Sequence, residues 1–366
     1  MHGANLVFAM KDLDNDIAFH GIGGKKMEEA GVEILITSSD MAVVGLTEIF
    51  SRLKTIVKAH LTLRSILKNS RPDLLILIDY PGFNINLARS AKRYGVPVLY
   101  YISPQIWAWR RGRVGKISRC VDRMAVILPF EKEFYLETGT KIRVEYVGHP
   151  LIDNIPNNLD KKDIKRELGL GESDMILGLL PGSRNEEVLK LLPSMISAAE
   201  ILSHRYRNLK CILSIAPTIS PNLIQTAISQ SPLEIITSNK DIYSALSVCD
   251  LAMVASGTAT LETAIMGVPM VIAYRMSPFS FWIAKMVVKV PYVGLVNLVA
   301  GKEVVPELIQ DEVTPRGLAD KALAILENEN VKTIMIKDLG MVKERLGTPG
   351  ASLRTAKIAL QMIDDD

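Results

Sequence analysis

Short, continuously apolar runs recur along this chain. Each ends in a polar or glycine-rich loop and is followed by a helical stretch. Leu74–Asp79 reads LLILID, and a run without polar alternation fits a strand covered on both faces. Ile85–Tyr94 then has helical spacing and stops at Gly95, a residue suited to a helix C-cap. Val96–Ser103, Met124–Leu128 and Val144–Val147 repeat the strand pattern, with a helix over Glu131–Glu137. The pattern restarts with strands predicted at Met175–Leu180, Cys211–Ala216, Glu234–Thr237, Leu251–Ala255 and Met270–Tyr274. Helices over Glu186–His204 and Thr258–Met266 fall between them, and from about Gly317 onward only helices are expected. Alternation of this kind predicts an α/β fold with parallel sheets and crossover helices.

A chain of 366 residues exceeds the size at which single cores stop growing. Gly148–Asp160, with Pro150, Pro156, Asn154, Asn157 and Asn158, has the composition of a linker. The expected division is therefore residues 1–150, residues 151–340 and a terminal helix over 341–366, with a cleft between two doubly wound domains. A net charge of +3 is too small to point to nucleic acid, and none is expected as a partner. Cys120, Cys211 and Cys249 are far apart and form no CxxC motif, which argues against a zinc site or a disulfide framework and fits a reducing cytoplasm. Phe279–Leu298 is the longest apolar region. Lys285, Lys289, Pro291 and Gly294 interrupt it, whereas a spanning helix needs about 20 apolar residues.

In doubly wound sheets ligands bind beyond the carboxyl ends of the strands, so chemistry is sought there. The run at Met175–Leu180 ends in Pro181-Gly182-Ser183-Arg184, where a small loop lets backbone approach a phosphate and Arg184 can pair with it. A plain turn with a surface arginine fits the same residues. Leu251–Ala255 ends in Ser256-Gly257-Thr258-Ala259-Thr260-Leu261-Glu262. The helix start there offers free N–H groups to an anion, and the Glu262 carboxylate can accept both hydroxyls of a ribose. A capping acid near the helix start is the plainer reading. Asp79, delivered to a strand end before Tyr80-Pro81-Gly82-Phe83-Asn84, has the position of a general base, or of an ordinary turn aspartate. Ser103-Pro104-Gln105-Ile106-Trp107-Ala108-Trp109-Arg110-Arg111 sets two tryptophans beside two arginines, which suits an amphiphilic anion. His149 in Gly148-His149-Pro150 is a second, weaker candidate for the cleft. Leu46, Ile49, Phe50, Leu53, Val57 and Leu61 recur at helical spacing beside Arg52, Lys54, Lys58, Arg64 and Lys68. Such a helix lies on anionic lipid or faces a core.

Ile78–Asn84, Ser103–Trp109, Leu180–Arg184, Ser256–Glu262, Tyr274-Arg275-Met276 and Asn297-Leu298-Val299-Ala300-Gly301 together resemble, in order, the signature blocks of the lipid-A-disaccharide synthase family. The resemblance covers almost the whole chain. It implies a GT-B fold of two facing Rossmann-like domains, with acceptor bound by the first and UDP by the second. It implies inverting transfer of 2,3-diacylglucosamine from UDP-2,3-diacylglucosamine to 2,3-diacylglucosamine 1-phosphate (lipid X), with no metal and no cofactor. Asp79 becomes the expected base. Gly182, Ser183, Arg184, Ser256, Gly257, Thr258, Glu262, Arg275 and Asn297 are expected on the nucleotide side. Ser103, Gln105, Trp107, Trp109, Arg110 and Arg111 are expected on the acceptor side. Acylated substrates imply peripheral association with the anionic inner membrane from the cytoplasm. The family opens with a strand and a G-E-x-S-G-D loop before an H-G-A run, and this chain begins Met1-His2-Gly3-Ala4. That strand and most of that loop are expected to be absent, through a misassigned start or a real truncation. The readings left beside the principal one are another UDP-sugar transferase or epimerase, and an inactive nucleotide binder that docks on membranes.

Overall fold

The structure is a computed structural model. It describes all residues except 39–48, 110, 157–158, 239–240, 289 and 366, and for 49–53 and 111 it describes the backbone course only. The chain divides into two compact units. The first is Met1–Asp153 with Leu346–Asp366, and the second is Asn154–Arg345.

In the first unit β1 (Phe19–Gly23) and β2 (Val32–Thr37) form a parallel pair. β3 (Leu75–Ile78), β4 (Val98–Tyr101), β5 (Arg123–Val126) and β6 (Arg143–Tyr146) form a separate parallel sheet in chain order. The two sheets share no strand pairing among the described residues. All four residues of β4 are buried, as its unbroken apolar run requires for a central strand. The helix His2–Lys11 buries Leu6, Val7 and Met10, and Leu6 and Met10 join Leu99, Tyr101 and Ala125 of the sheet in one core. Ala356, Ile358, Ala359 and Met362 of the last helix, Ala351–Asp364, complete that core. Asp153 receives the N–H groups of Gly350 (2.6 Å) and Ser352 (3.5 Å), which fixes where that helix begins.

Sequence periodicity does not place the opening helix, β1 or β2. His2–Lys11 is apolar nearly all round, β1 is short and carries two glycines, and β2 (VEILIT) has no sustained alternation, so no period stands out. The terminal segment also divides differently. Residues 341–345 end the long helix Glu329–Arg345 of the second unit, and the last helix belongs to the first.

The second unit holds β7 (Met175–Leu180), β8 (Leu209–Ser214), β9 (Ile235–Ser238), β10 (Leu251–Ala255), β11 (Met270–Tyr274) and β12 (Glu307–Ile309) in one all-parallel sheet. Its order is β12-β11-β10-β7-β8-β9. Strand succession runs outward in one direction from β7 and in the other from β10, so the switch point lies between these two strands. Crevices at such points receive ligands, because the loops on either side diverge. No helix among the described residues is long and apolar enough to cross a membrane.

Candidate active site

In the first unit the end of β3 is built under strain. Asp79 and Tyr80 have φ of +47° and +44°, in the left-handed region that costs a non-glycine residue roughly 1–2 kcal/mol. Three hydrogen bonds hold the turn. The Asn84 amide donates to the carbonyls of Ile78 (3.1 Å) and Asp79 (2.7 Å), and the Tyr100 hydroxyl donates to Asp79 O (2.6 Å). Asn84 and Tyr100 are themselves buried, so the packing over-determines the turn. Asp79 remains open to solvent at the strand end, yet burial pushes its carboxyl above the usual range, opposed by the Tyr80 N–H. A carboxylate whose charge is poorly solvated accepts a proton more readily than a free one. The neighbouring strand ends likewise, with Ile102 at φ +61°.

Beside this turn a groove of about 680 Å³ runs between the helices Ile49–Asn69 and Pro81–Arg93. Val57, Leu61, Tyr80 and Phe83 give it an apolar floor, and His60, Arg64, Arg89 and Arg93 give it charge capacity. Such a lining matches an amphiphile with an anionic group. Sequence reading singled out the first helix as a possible lipid face but not as a groove wall. The signal was its stripe of apolar and basic residues, whose partner, Pro81–Arg93, is visible only in three dimensions. Leu46 of that stripe lies outside the described residues, as do the side chains of Ile49, Phe50, Arg52 and Leu53.

The tryptophan segment divides in two. Trp107 is 6% exposed, crosses Phe130 edge-on at 4.9 Å and donates its indole N–H to Glu131 at 3.1 Å. It anchors the loop, and its polar handle is already committed, so it is not a surface for ligand. Ser103 is buried too, bonded to the Tyr135 hydroxyl at 2.8 Å. Gln105 and Trp109 stay exposed, with the Arg113 guanidinium 5.8 Å from the Trp109 ring centre. Arg110 and the side chain of Arg111 lie outside the described residues. Glu131, which sequence reading missed, also accepts from Ile127 N and Leu128 N, and full burial pushes its carboxyl up to about 7. Its one sequence signal was an acid three residues into a helix start. His149 is buried, its Nδ1 accepts from Leu151 N, and burial drives it down to about 4, so it serves the backbone as a neutral ring.

In the second unit the two expected loops meet across the switch point, since Val254 of β10 pairs with Leu180 of β7. Gly182 has φ +112°, and a Cβ there would sit 2.9 Å from Glu187 Cβ. Ser183 N and Arg184 N both donate to Glu187 Oε2 (3.0 and 3.3 Å), and Arg184 Nη1 reaches Oε1 at 2.9 Å. A resident carboxylate thus occupies donors of the kind that hold an anion. On the other loop Gly257, at φ +148°, precedes the helix Thr258–Ile265, whose first N–H groups have no side-chain cap. Ser256 is pinned by its hydroxyl to Val293 O at 2.6 Å. Thr258 is exposed, and Glu262 sits one turn further in. No side-chain partner of the Glu262 carboxylate is found among the described residues, and burial pushes it up to about 7.

Arg275 and Asn297 sit differently from what the sequence led us to expect. Arg275 donates to the carbonyls of Gln310 (3.2 Å) and Val313 (2.7 Å), tying the end of β11 to the segment after β12. Asn297 is fully buried. Its amide nitrogen bonds Val305 O and Glu307 Oε1, and its oxygen accepts from Val304 N and Val305 N. With those valences filled it has none for a ligand. It steadies Glu307, which in turn receives Val293 N and Gly294 N. Asn297 therefore supports the loop that holds Ser256 rather than touching a nucleotide. Among the described residues no three His, Cys, Asp or Glu side chains converge on a metal-sized site.

A family profile described as lipid-A-disaccharide synthetase matches residues 1–360. The chain belongs to the lipid-A-disaccharide synthase family. It is 45% identical over 363 residues to the lipid-A-disaccharide synthase of Geobacter sulfurreducens, covering 99% of this chain and 94% of that one. It is 39% identical over 361 residues to the corresponding protein of Coxiella burnetii, covering 99% and 95%. Members of the family are glycosyltransferases that make the lipid A disaccharide, and the chain is an enzyme of that class. Among solved structures it is similar to a UDP-GlcNAc 2-epimerase from Neisseria meningitidis, solved bound to UDP-GlcNAc. That match has a TM-score of 0.66 at 12% identity over 100% of this chain and 97% of that one. A glycosyltransferase from Rickettsia africae gives a TM-score of 0.60 at 13% identity, covering 100% and 95%. These likenesses establish the fold, GT-B with two Rossmann-like units.

Proposed function

We propose that the first unit binds 2,3-diacylglucosamine 1-phosphate, the second binds UDP-2,3-diacylglucosamine, and Asp79 is the base. The observation that carries this is the strained, three-fold braced turn that holds the Asp79 carboxylate at a strand end beside an amphiphilic groove. Asp79 takes the proton of the acceptor 6-hydroxyl while that oxygen bonds to the donor anomeric carbon from the face opposite UDP. The bond from that carbon to the diphosphate breaks, its electron pair leaves with UDP, and the configuration inverts. Charge growing on the diphosphate meets the uncapped N–H groups at Thr258 and the Arg184 guanidinium. Glu262 accepts the ribose hydroxyls. The groove lined by Val57, Leu61 and Phe83 takes acyl chain.

Substrates with acyl chains reside in a bilayer, and two helices offer contact with one. Pro278–Val287 buries none of its residues and exposes Phe279 (72%), Trp282 (60%) and Met286 (58%) next to Lys285. Val57 and Leu61 are exposed beside Lys54 and Lys58 on the other helix. Aromatic and basic residues on one helix favour peripheral contact with the anionic inner membrane. The test is an assay of the full chain with both acylated substrates, reading disaccharide and UDP together. UDP bound without disaccharide formed would leave only a nucleotide binder. Turnover of UDP-GlcNAc in place of the acylated donor would point to a different sugar chemistry.

A further inference from the structure

The helix Pro81–Arg93 carries a second feature that the reaction does not use. A shallow cavity of about 340 Å³ lies against its last turns, lined by Arg89, Lys92, Arg93, Lys116, Arg119 and Cys120. Five cations converge there from two segments. Only one is neutralised by a carboxylate among the described residues, Lys92 by Asp122 at 2.6 Å. Arg89 meets the uncharged Asn86 amide at 3.1 Å, and Arg93, Lys116 and Arg119 have no ion pair among the described residues. Burial raises the Cys120 thiol beneath them. Cations this dense repel one another, and a multiply charged anion relieves that repulsion. Guanidinium groups recognise phosphate oxygens by paired N–H donors.

The cavity is too remote for the phosphate of a reacting acceptor. Lys92 lies eleven residues along the helix from Pro81, roughly 16 Å at the helical rise, and that helix leads away from the strand end bearing Asp79. One sugar ring does not span that distance. Arg89 and Arg93 also line the apolar groove with Val57 and Leu61, so the phosphate site has an apolar rim. We infer that this cavity is a headgroup site for a membrane phospholipid bearing a terminal phosphomonoester, bordering the acyl groove through Arg89 and Arg93 but out of reach of the reacting acceptor's phosphate. The inference rests on the proposed contact with an anionic membrane surface.

The test floats the full chain with phosphatidylcholine vesicles carrying either phosphatidic acid or phosphatidylglycerol at matched charge. The Lys116→Gln/Arg119→Gln variant is compared with the unmodified chain, and water-soluble dihexanoyl phosphatidic acid is titrated by calorimetry in parallel. The unmodified chain should prefer phosphatidic acid vesicles. The variant should lose about thirty-fold on them, taking roughly five-fold per cation near a charged surface, and far less on phosphatidylglycerol. Equal losses on both lipids would mean a diffuse charge effect and overturn the site. If neither vesicle binds but dihexanoyl phosphatidic acid titrates the unmodified chain and not the variant, the headgroup site stands and the membrane contact falls. No heat with that probe overturns the site. Displacement of the probe by inorganic phosphate at equal concentration overturns the lipid assignment. Both replaced residues are exposed, so folding is not at stake, and an unchanged thermal midpoint verifies this.

Discussion

Replacing Glu262 by Gln tests the nucleotide site most directly. Burial lifts this carboxyl from 4.5 to about 7. Holding it ionised in the empty protein therefore costs up to about 3 kcal/mol, at 1.36 kcal/mol per unit. Two ribose hydroxyls donating to it favour the charged form, so UDP binding should expel a proton below about pH 7. Affinity should then rise with pH by up to about ten-fold per unit until the carboxyl is ionised in the empty protein. Glutamine has the same shape but offers one acceptor oxygen and no charge. Losing a charge-assisted hydrogen bond costs about 1.5–3 kcal/mol, so above about pH 8 the variant should bind UDP roughly 10- to 100-fold more weakly. Near pH 5.5, about 1.5 units below the wild-type value, the two proteins should converge. The stability sign runs the other way. A raised folded value stabilises below 4.5, and that contribution is lost as pH rises through about 7, so the empty variant should be the more stable protein at high pH. Calorimetric titration of both proteins at each pH cancels the titration of UDP itself. Parallel pH profiles for wild type and Glu262→Gln would refute the assignment of ribose to this carboxylate.

Asp79→Asn should lower turnover by roughly 10²- to 10⁴-fold, the usual worth of a general base, while UDP binding by calorimetry stays unchanged. Full turnover in that variant removes the base. Gly182→Ala forces a side chain onto φ +112° and against Glu187, so unfolding by urea should show a loss of about 2 kcal/mol, with weaker UDP binding as Ser183 and Arg184 shift. Glu131 carries a folded value of about 7 against 4.5 unfolded, so stability should fall by up to about 3 kcal/mol between those pH values. In Glu131→Gln that decline should disappear from urea midpoints taken on either side of the range. Phe279→Ser with Trp282→Ser should release the chain from anionic vesicles without changing its thermal midpoint, because both residues are exposed.

The alternation of apolar runs and helical stretches determined the α/β class and every strand from β3 to β11, most directly β4, β7 and β10, because strands buried on both faces must be continuously apolar whatever surrounds them. The positions of Asp79, of the Gly182–Arg184 loop and of the Gly257–Glu262 helix start were equally legible, since a strand end or helix start is a local property. Whether a polar side chain faces ligand or backbone is not local. Asn297, Trp107 and Ser103 have the residue types of a binding site, and Glu131 and Glu187 lie in ordinary helix starts. Only the packed structure commits Asn297 to Val305 and Glu307, and Trp107 to Glu131, because a buried polar group must find partners wherever the chain brings them. The return of the last helix to the first unit and the convergence of five cations beside Cys120 belong to the same class. Both join residues far apart in sequence, and local patterning cannot encode which distant segments will meet.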